Sequence, residues 1–259
     1  MTERTTLIID GRNVELMLPP GDLHVSPVLL AHDGQNCFDG AQSLAGTGWF
    51  MQEAVPRIAA ELGVPIPIVI APWNAGAMRG SEYAPEDVLR DNAGMLDGFS
   101  ARYVTEELTG NRYVTWCVER VLGYLRNEHG VELARHRTAI IGSSMGGLAS
   151  LYALAKRPDV YGAALCLSTH WTPGGQGFPT ALVRMLPSPG EHRLWFDHGD
   201  QGLDAEYAPY QREADRVLAE LGWGEFMQSR AYAKSDHHET AWAERLPEIL
   251  RFWLTHVFA

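Results

Sequence analysis

The sequence is poor in cysteine and in positive charge. Its three cysteines, Cys37, Cys117 and Cys166, are scattered and odd in number, which predicts neither a disulfide framework nor a cysteine metal site. Lysine and arginine number 21 against 32 aspartates and glutamates, so the formal net charge is -11. This balance argues against nucleic acid and against anionic membrane surfaces as partners.

Long apolar runs are also missing. No stretch approaches the length of a membrane span, and no apolar segment typical of a signal peptide follows Met1. We therefore expect a cytoplasmic protein without a membrane partner. No repeat, low-complexity tract or linker divides the 259 residues, so we predict one domain over 1–259.

Short apolar runs alternate with helix-forming stretches along most of the chain. Apolar runs at 7–9 and 14–18 flank Asp10-Gly11, which predicts an antiparallel hairpin. Further strands are predicted at 28–31, 66–70, 138–141, 162–167, 193–196 and 225–232, and helices at 52–62, 113–128, 148–156, 209–221 and 240–256. The pattern predicts an α/β three-layer sandwich with a mostly parallel sheet. Residues 71–111 are expected to be irregular, and 168–193 is too short for a large cap domain.

The pentapeptide 142–146 has the form Gly-x-Ser-x-Gly, with Ser144 at its centre. An apolar strand precedes it and a helix-forming stretch follows, which is the context of a nucleophile elbow. A glycine-rich packing turn is the alternative. A phosphate-binding turn is disfavoured, because neither Gly-x-Gly-x-x-Gly nor a Walker lysine is present.

Acidic and histidine residues follow two later strands. The loop after 194–196 contains Asp197, Asp200 and Asp204, and the loop after the next strand contains His237 and His238. The order Ser, Asp, His is that of an α/β-hydrolase triad, in which histidine activates the serine and a carboxylate orients the histidine. A metal site at 237–239 is disfavoured, because the i, i+4 spacing of helical zinc ligands is missing.

A serine nucleophile also needs donors for the oxyanion that forms during attack. The main-chain N–H of Met145, the residue after the serine, is one expected donor. The loop 32–36, which follows the third predicted strand, is expected to supply the other. This chemistry requires no metal and no cofactor.

Five stretches together resemble the esterase family of the α/β-hydrolases, which includes enterochelin esterase, S-formylglutathione hydrolase, and feruloyl and acetylxylan esterases. The stretches are 30–39, 71–83, the 142–147 elbow, 196–207 and 237–242. The resemblance implies that Ser144 is the nucleophile and that His237, not His238, is the base. It also implies that Gln35 is the second oxyanion donor. For the acid, Asp204 matches the family pattern better than Asp200, where this chain departs from it.

The hypothesis is a serine carboxylic-ester hydrolase with an acyl-enzyme intermediate. An acyltransferase or thioesterase on the same triad, a peptidase, and a non-catalytic binding protein of the same fold are the alternatives. Aromatic surface for a small-molecule or carbohydrate-linked ester is expected from Trp73, Tyr83, Trp171 and Tyr207. The sequence leaves the oligomeric state open, a homodimer included.

Overall fold

One eight-stranded sheet organises the chain. The computed structural model describes residues 2–43, 45–104 and 107–258. The strands are β1 (Glu3–Ile9), β2 (Arg12–Leu18), β3 (Val28–Ala31), β4 (Ile68–Pro72), β5 (Thr138–Ser143), β6 (Ala163–Leu167), β7 (Arg193–His198) and β8 (Met227–Ala231). Their order in the sheet is β1-β2-β4-β3-β5-β6-β7-β8.

The first two strands are the antiparallel part of the sheet. β1 pairs with β2, and β2 pairs with β4, in antiparallel register, whereas every pairing from β4 to β8 is parallel. The hairpin turns at Asp10 and Gly11, both with positive φ, 50° and 81°. Two consecutive positive φ values suit the right-handed twist of the strands, so the Asp-Gly prediction is confirmed.

Helices cover both faces of the sheet. They are α1 (Met51–Leu62), α2 (Arg79–Tyr83), α3 (Glu86–Asp91), α4 (Ala93–Ser100), α5 (Gly110–Trp116), α6 (Gly123–His129), α7 (Met145–Lys156), α8 (Phe178–Val183), α9 (Ala208–Glu220) and α10 (Glu239–Val257). A π-helical stretch, Cys117–Leu122, joins α5 to α6. None of the helices in the described part of the chain is long and apolar enough to cross a membrane.

The sheet separates two hydrophobic cores. Successive residues of a strand face opposite sides, so Leu29 and Ile141 pack with α1 and α10, whereas Leu30 and Ile140 pack with α7 and its neighbours. These four side chains have no exposed surface. The predicted three-layer α/β sandwich is confirmed.

Several segments differ from the sequence prediction. The strand expected at 225–232 begins only at Met227, because the chain at 224–226 forms a 3-10 turn. Residues 71–111, expected to be irregular, contain the short helices α2, α3 and α4, which are too brief to show helical periodicity in the sequence. The strand expected at 66–70 begins at Ile68, because Pro67 has no N–H to donate to a neighbouring strand. Between β6 and β7, the chain forms only a 3-10 turn and α8.

Candidate active site

Ser144 occupies a sharp turn between β5 and α7. Its φ and ψ are 56° and -123°, a conformation that non-glycine residues rarely adopt and that costs on the order of 1–3 kcal/mol. Its N–H donates to the Leu167 carbonyl at 2.9 Å, and its carbonyl accepts from the Gly147 N–H at 3.0 Å. A Cβ on Gly142 would lie 2.6 Å from the main chain of Gly146. The elbow therefore requires glycine at 142.

Asp204 and His237 are joined by a short hydrogen bond. Asp204 lies in a 3-10 turn, Gly202–Glu206, after β7, and its Oδ1 is 2.6 Å from His237 Nδ1. Its Oδ2 accepts from Ser168 Oγ at 2.7 Å and from the Gly199 N–H at 2.6 Å. Burial alone would raise the pKa of Asp204, but these hydrogen bonds outweigh it and hold the pKa below its ordinary value. An ionised Asp204 fixes the proton on Nδ1, which leaves Nε2 to exchange a proton with a substrate.

The neighbouring candidates have other partners. Asp200 is exposed and accepts from the Lys234 N–H at 2.6 Å, which orders the loop before His237. Asp197 is buried against Arg245, 2.8 Å away. His238 caps α10, accepting from the N–H of Thr240 through Nδ1 at 3.3 Å. Of these acids and histidines, the structure brings only Asp204 and His237 together.

Ser144 and His237 line the same cavity, which has a volume of about 300 Å³. Amide and charged side chains supply most of its remaining wall. They are Asp33, Gln35, Asn36, Asn74, Arg79 and Glu239, with Ser143 and Trp242 completing the lining. Groups of three or more histidine, cysteine, aspartate or glutamate side chains placed to hold a metal ion do not occur among the described residues.

Two main-chain donors at this site are free. Gln35 lies in a 3-10 turn, Gly34–Asn36, after β3, and Met145 is the first residue of α7. Neither N–H takes part in a hydrogen bond between described residues. An N–H at the start of a helix has no partner within the helix and is therefore available to an anion.

An ion pair holds the loop that carries Gln35. Arg79 contacts both carboxylate oxygens of Asp33 at 2.7 Å, and the Asn74 side chain donates to Asp33 at 2.6 Å. Burial would raise the pKa of Asp33, but Arg79 outweighs burial and lowers it. The Asn74 N–H also donates to the Gln35 side chain at 3.3 Å. The loop is thereby fixed to the chain that follows β4.

The four aromatic residues expected to contact substrate differ in exposure. Trp73 is partly exposed and donates to Glu15 at 3.1 Å. Tyr83, Trp171 and Tyr207 have no exposed surface. The expectation that they supply aromatic surface is therefore corrected. The Tyr83 hydroxyl donates to Asp33 at 3.4 Å, Trp171 donates to Gln211 at 3.0 Å, and Tyr207 lies beside His237.

Ser168 and Arg245 were not predicted as site residues from the sequence. The Ser168 hydroxyl donates to Asp204 and accepts from Trp242 Nε1 at 3.0 Å and from Arg245 Nη1 at 3.1 Å. It thus connects α10 to the carboxylate that holds His237. Two features of the sequence could have indicated this. Ser168 directly follows β6, at the same sheet edge as Ser144, and Trp242 and Arg245 are three residues apart on one helix face.

The sequence matches a known protein family. A family model described as "Putative esterase" matches residues 8–253. The chain belongs to this esterase family. It is thus an enzyme of the carboxylic ester hydrolase class, and the resemblance inferred from the sequence is confirmed. A search of curated proteins gave no match.

Solved structures similar to this esterase include three enzymes. A ferulic acid esterase has 16% identity and a TM-score of 0.68, with 100% of this chain and 99% of that chain covered. The enterobactin esterase FES from Shigella flexneri has 17% identity and a TM-score of 0.68, with 100% and 60% covered. The S-formylglutathione hydrolase FrmB from Staphylococcus aureus has 16% identity and a TM-score of 0.58, with 99% and 96% covered. This esterase therefore spans the length of two relatives and 60% of the third, and all three share its fold.

Proposed function

We propose that this esterase is a serine hydrolase in which Ser144 is the nucleophile, His237 the general base and Asp204 the orienting acid. The observation that carries the proposal is the 2.6 Å bond between the buried carboxylate of Asp204 and His237 Nδ1. His237 and Ser144, which lies on the strained elbow, line the same cavity. A serine hydroxyl is a weak nucleophile at neutral pH unless such a base takes its proton.

Acylation follows from this arrangement. His237 Nε2 takes the hydroxyl proton as Ser144 Oγ attacks the acyl carbon of the ester. The carbonyl oxygen becomes an oxyanion and accepts hydrogen bonds from the N–H groups of Gln35 and Met145. The intermediate collapses with cleavage of the bond to the alcohol oxygen, and His237 returns the proton to that oxygen. The products of this half-reaction are the alcohol and an ester of Ser144 with the acyl group.

Deacylation repeats the chemistry with water. His237 removes a proton from water as the water oxygen attacks the acyl carbon, and the same two N–H groups hold the oxyanion. Collapse breaks the bond to Ser144 Oγ, which regains its proton from His237 as the carboxylic acid leaves. All groups in the cycle belong to the chain, so the reaction needs no cofactor.

The cavity indicates the kind of ester. Its volume of about 300 Å³ is at the lower end for small-molecule sites, and its wall carries amide, guanidinium and carboxylate groups together with the apolar surface of Trp242. We propose a small-molecule or carbohydrate-linked ester with a short or compact acyl group. Similarity to a ferulic acid esterase and an enterobactin esterase supports an ester substrate of the small-molecule or carbohydrate-linked class.

Hydrolysis of p-nitrophenyl esters from acetate to decanoate tests the nucleophile. We expect wild-type turnover on the short esters, and a loss of at least about 10³-fold in Ser144→Ala. Ser150→Ala is the matched control, because Ser150 lies on α7 but its hydroxyl donates to the Gly146 carbonyl, away from the cavity. It should keep most of the activity.

A fluorophosphonate probe supplies a second readout. The nucleophile should be modified covalently, and peptide mass spectrometry should place the label on Ser144. Substantial turnover by Ser144→Ala, or a label on another residue, would contradict the proposal. Wild-type protein that neither hydrolyses any member of the series nor takes up the probe would do the same.

A further inference from the structure

His170 is a buried histidine that the triad mechanism leaves unused. It follows β6, and both of its ring nitrogens have tyrosine partners: Nδ1 lies 2.5 Å from the Tyr207 hydroxyl and Nε2 lies 2.7 Å from the Tyr103 hydroxyl. Its main-chain N–H donates to the Ser144 carbonyl at 3.2 Å. The residue is therefore attached both to the elbow and to two phenols.

The ring of His170 is neutral. Burial, followed by the nearby His237, lowers the pKa of His170 to about 3. A neutral imidazole has one N–H donor and one acceptor nitrogen. One tyrosine must therefore donate to the ring and the other must accept from it, so Tyr103, His170 and Tyr207 form one continuous hydrogen-bonded chain.

Tyr207 connects this hydrogen-bonded chain to Ser144. Its side chain is fully buried, and its ring packs edge-on against His237, with centroids 5.7 Å apart and planes at 89°. Its hydroxyl is hydrogen-bonded to His170, and while burial raises the pKa of this hydroxyl, the Ser144 side chain opposes that rise. The phenol is therefore close both to Ser144 and to the His170 ring. Tyr103, at the other end of the chain, is only partly buried.

We propose that Tyr207 is a second hydrogen-bond partner of the Ser144 hydroxyl, besides the triad histidine, and that it fixes this side chain for attack. Tyr207 is then a catalytic residue, because it touches the reacting oxygen. His170 and Tyr103 are positioning residues that hold the Tyr207 phenol. The inference rests on the proposed role of Ser144 as nucleophile.

A purely structural role of Tyr207 predicts different kinetics from a role in holding the Ser144 hydroxyl. If Tyr207 only supports the His237 ring, phenylalanine at 207 fills the same space and kcat stays the same. If the hydroxyl holds Ser144, phenylalanine lowers the fraction of enzyme with a correctly placed nucleophile. Because Tyr207 is fully buried and is not among the residues that line the cavity, we expect that loss to fall on kcat, with KM nearly unchanged.

The test compares steady-state kinetics of single variants on the best p-nitrophenyl ester. In Tyr207→Phe we expect kcat to fall about tenfold, with KM within about twofold of wild type. His170→Leu interrupts the hydrogen-bonded chain and should lower kcat as much as Tyr207→Phe does. His170→Gln keeps one donor and one acceptor and should recover part of the rate. Tyr103→Phe, farther from Ser144, should have the smallest effect of the four.

Tyr161→Phe is the control for removing a buried phenol. Tyr161 is fully buried, and its hydroxyl has no hydrogen-bond partner among the described residues, so kcat should stay at the wild-type value. Thermal unfolding verifies that each variant is folded. If Tyr207→Phe does not fold, His170→Gln and Tyr103→Phe still test the hydrogen-bonded chain.

The possible outcomes separate the inference from the proposed function. An unchanged kcat in folded Tyr207→Phe, with Ser144→Ala inactive, would overturn the inference whatever the effect of His170→Leu, and would leave the serine hydrolase intact. Equal rates in His170→Gln and His170→Leu, both below wild type, would also overturn it. Activity in Ser144→Ala would instead contradict the proposed function.

Discussion

Asp204 and Asp200 lie four residues apart in the loop after β7 but have different surroundings. Asp204 is buried and contacts His237, whereas Asp200 is exposed and holds the Lys234 main chain. In Asp204→Asn the amide no longer favours the correct tautomer of His237 or stabilises its charged form. We expect kcat/KM to fall by about 10³–10⁴-fold.

Asp200→Asn is the matched control for this prediction, because it makes the same chemical change in the same loop. It should leave kcat/KM close to that of wild type, since its amide oxygen still accepts from Lys234. Initial-rate kinetics at neutral pH on one ester measure both variants. A large loss in Asp200→Asn together with a small one in Asp204→Asn would reverse the assignment of the acid.

At the residue scale, the sequence predicts the kinds of residue at the site better than their contacts. Ser144 is identifiable because a glycine-bounded elbow has a local steric cause that is visible in five residues. The choice between Asp204 and Asp200 is not local, because it depends on how the 3-10 turn after β7 folds back toward His237. Burial of Trp171 and Tyr83 depends on the helices above the sheet, and single residues carry no signal for it.

At the scale of structural elements, the turn that carries Gln35 packs closely against the sheet. A Cβ on Gly34 would collide with the main-chain carbonyl of Ala71 in β4. Gly34→Ala therefore has to displace the turn and with it the Gln35 N–H. Because oxyanion stabilisation depends on donor position, we expect kcat to fall by about 10²-fold, with a smaller change in KM.

Gly224→Ala provides the comparison for this change. Gly224 begins a 3-10 turn far along the chain, and a Cβ there would meet no atom within 4 Å. Its kcat should equal that of wild type. Wild-type kcat in a folded Gly34→Ala variant would show that the turn does not position an oxyanion donor.

The strands were more predictable than the connections between them. β3 and β6 are buried on both faces, so each is a continuous apolar run that stands out in the sequence, and β5 contains such a run at 139–141. α2 and α3 span only five and six residues, and their formation depends on packing rather than on periodicity: α2 packs against α5 and α7, and α3 against α4 and α5. The Asp33–Arg79 pair, which brings this region to the site, joins residues 46 apart in sequence.

At the scale of the whole molecule, buried histidines couple stability to pH. His32 is fully buried beside Tyr113, and burial lowers its pKa to about 4, just as burial lowers that of His170 to about 3. Both folded pKa values lie below the ordinary value of 6.5, so the unfolded chain binds more protons than the folded protein below that pH. Stability is thus greatest above pH 6.5 and is lost as the pH falls toward the folded pKa values.

The free energy of unfolding is expected to fall by about 2 kcal/mol for each of these two histidines between pH 7 and pH 5. Asp33 and Asp204 contribute in a lower pH range, because their pKa values are lowered from an ordinary value of 3.8 and their stabilisation is lost only below it.

Urea unfolding at pH 7, 6 and 5 measures the pH dependence of the free energy of unfolding. His32→Asn removes one titrating ring but keeps a polar group for Tyr113, so it should reduce the pH dependence by about half. Stability independent of pH in this range would contradict the prediction, and an unaltered slope in His32→Asn would exclude His32 as a source of it.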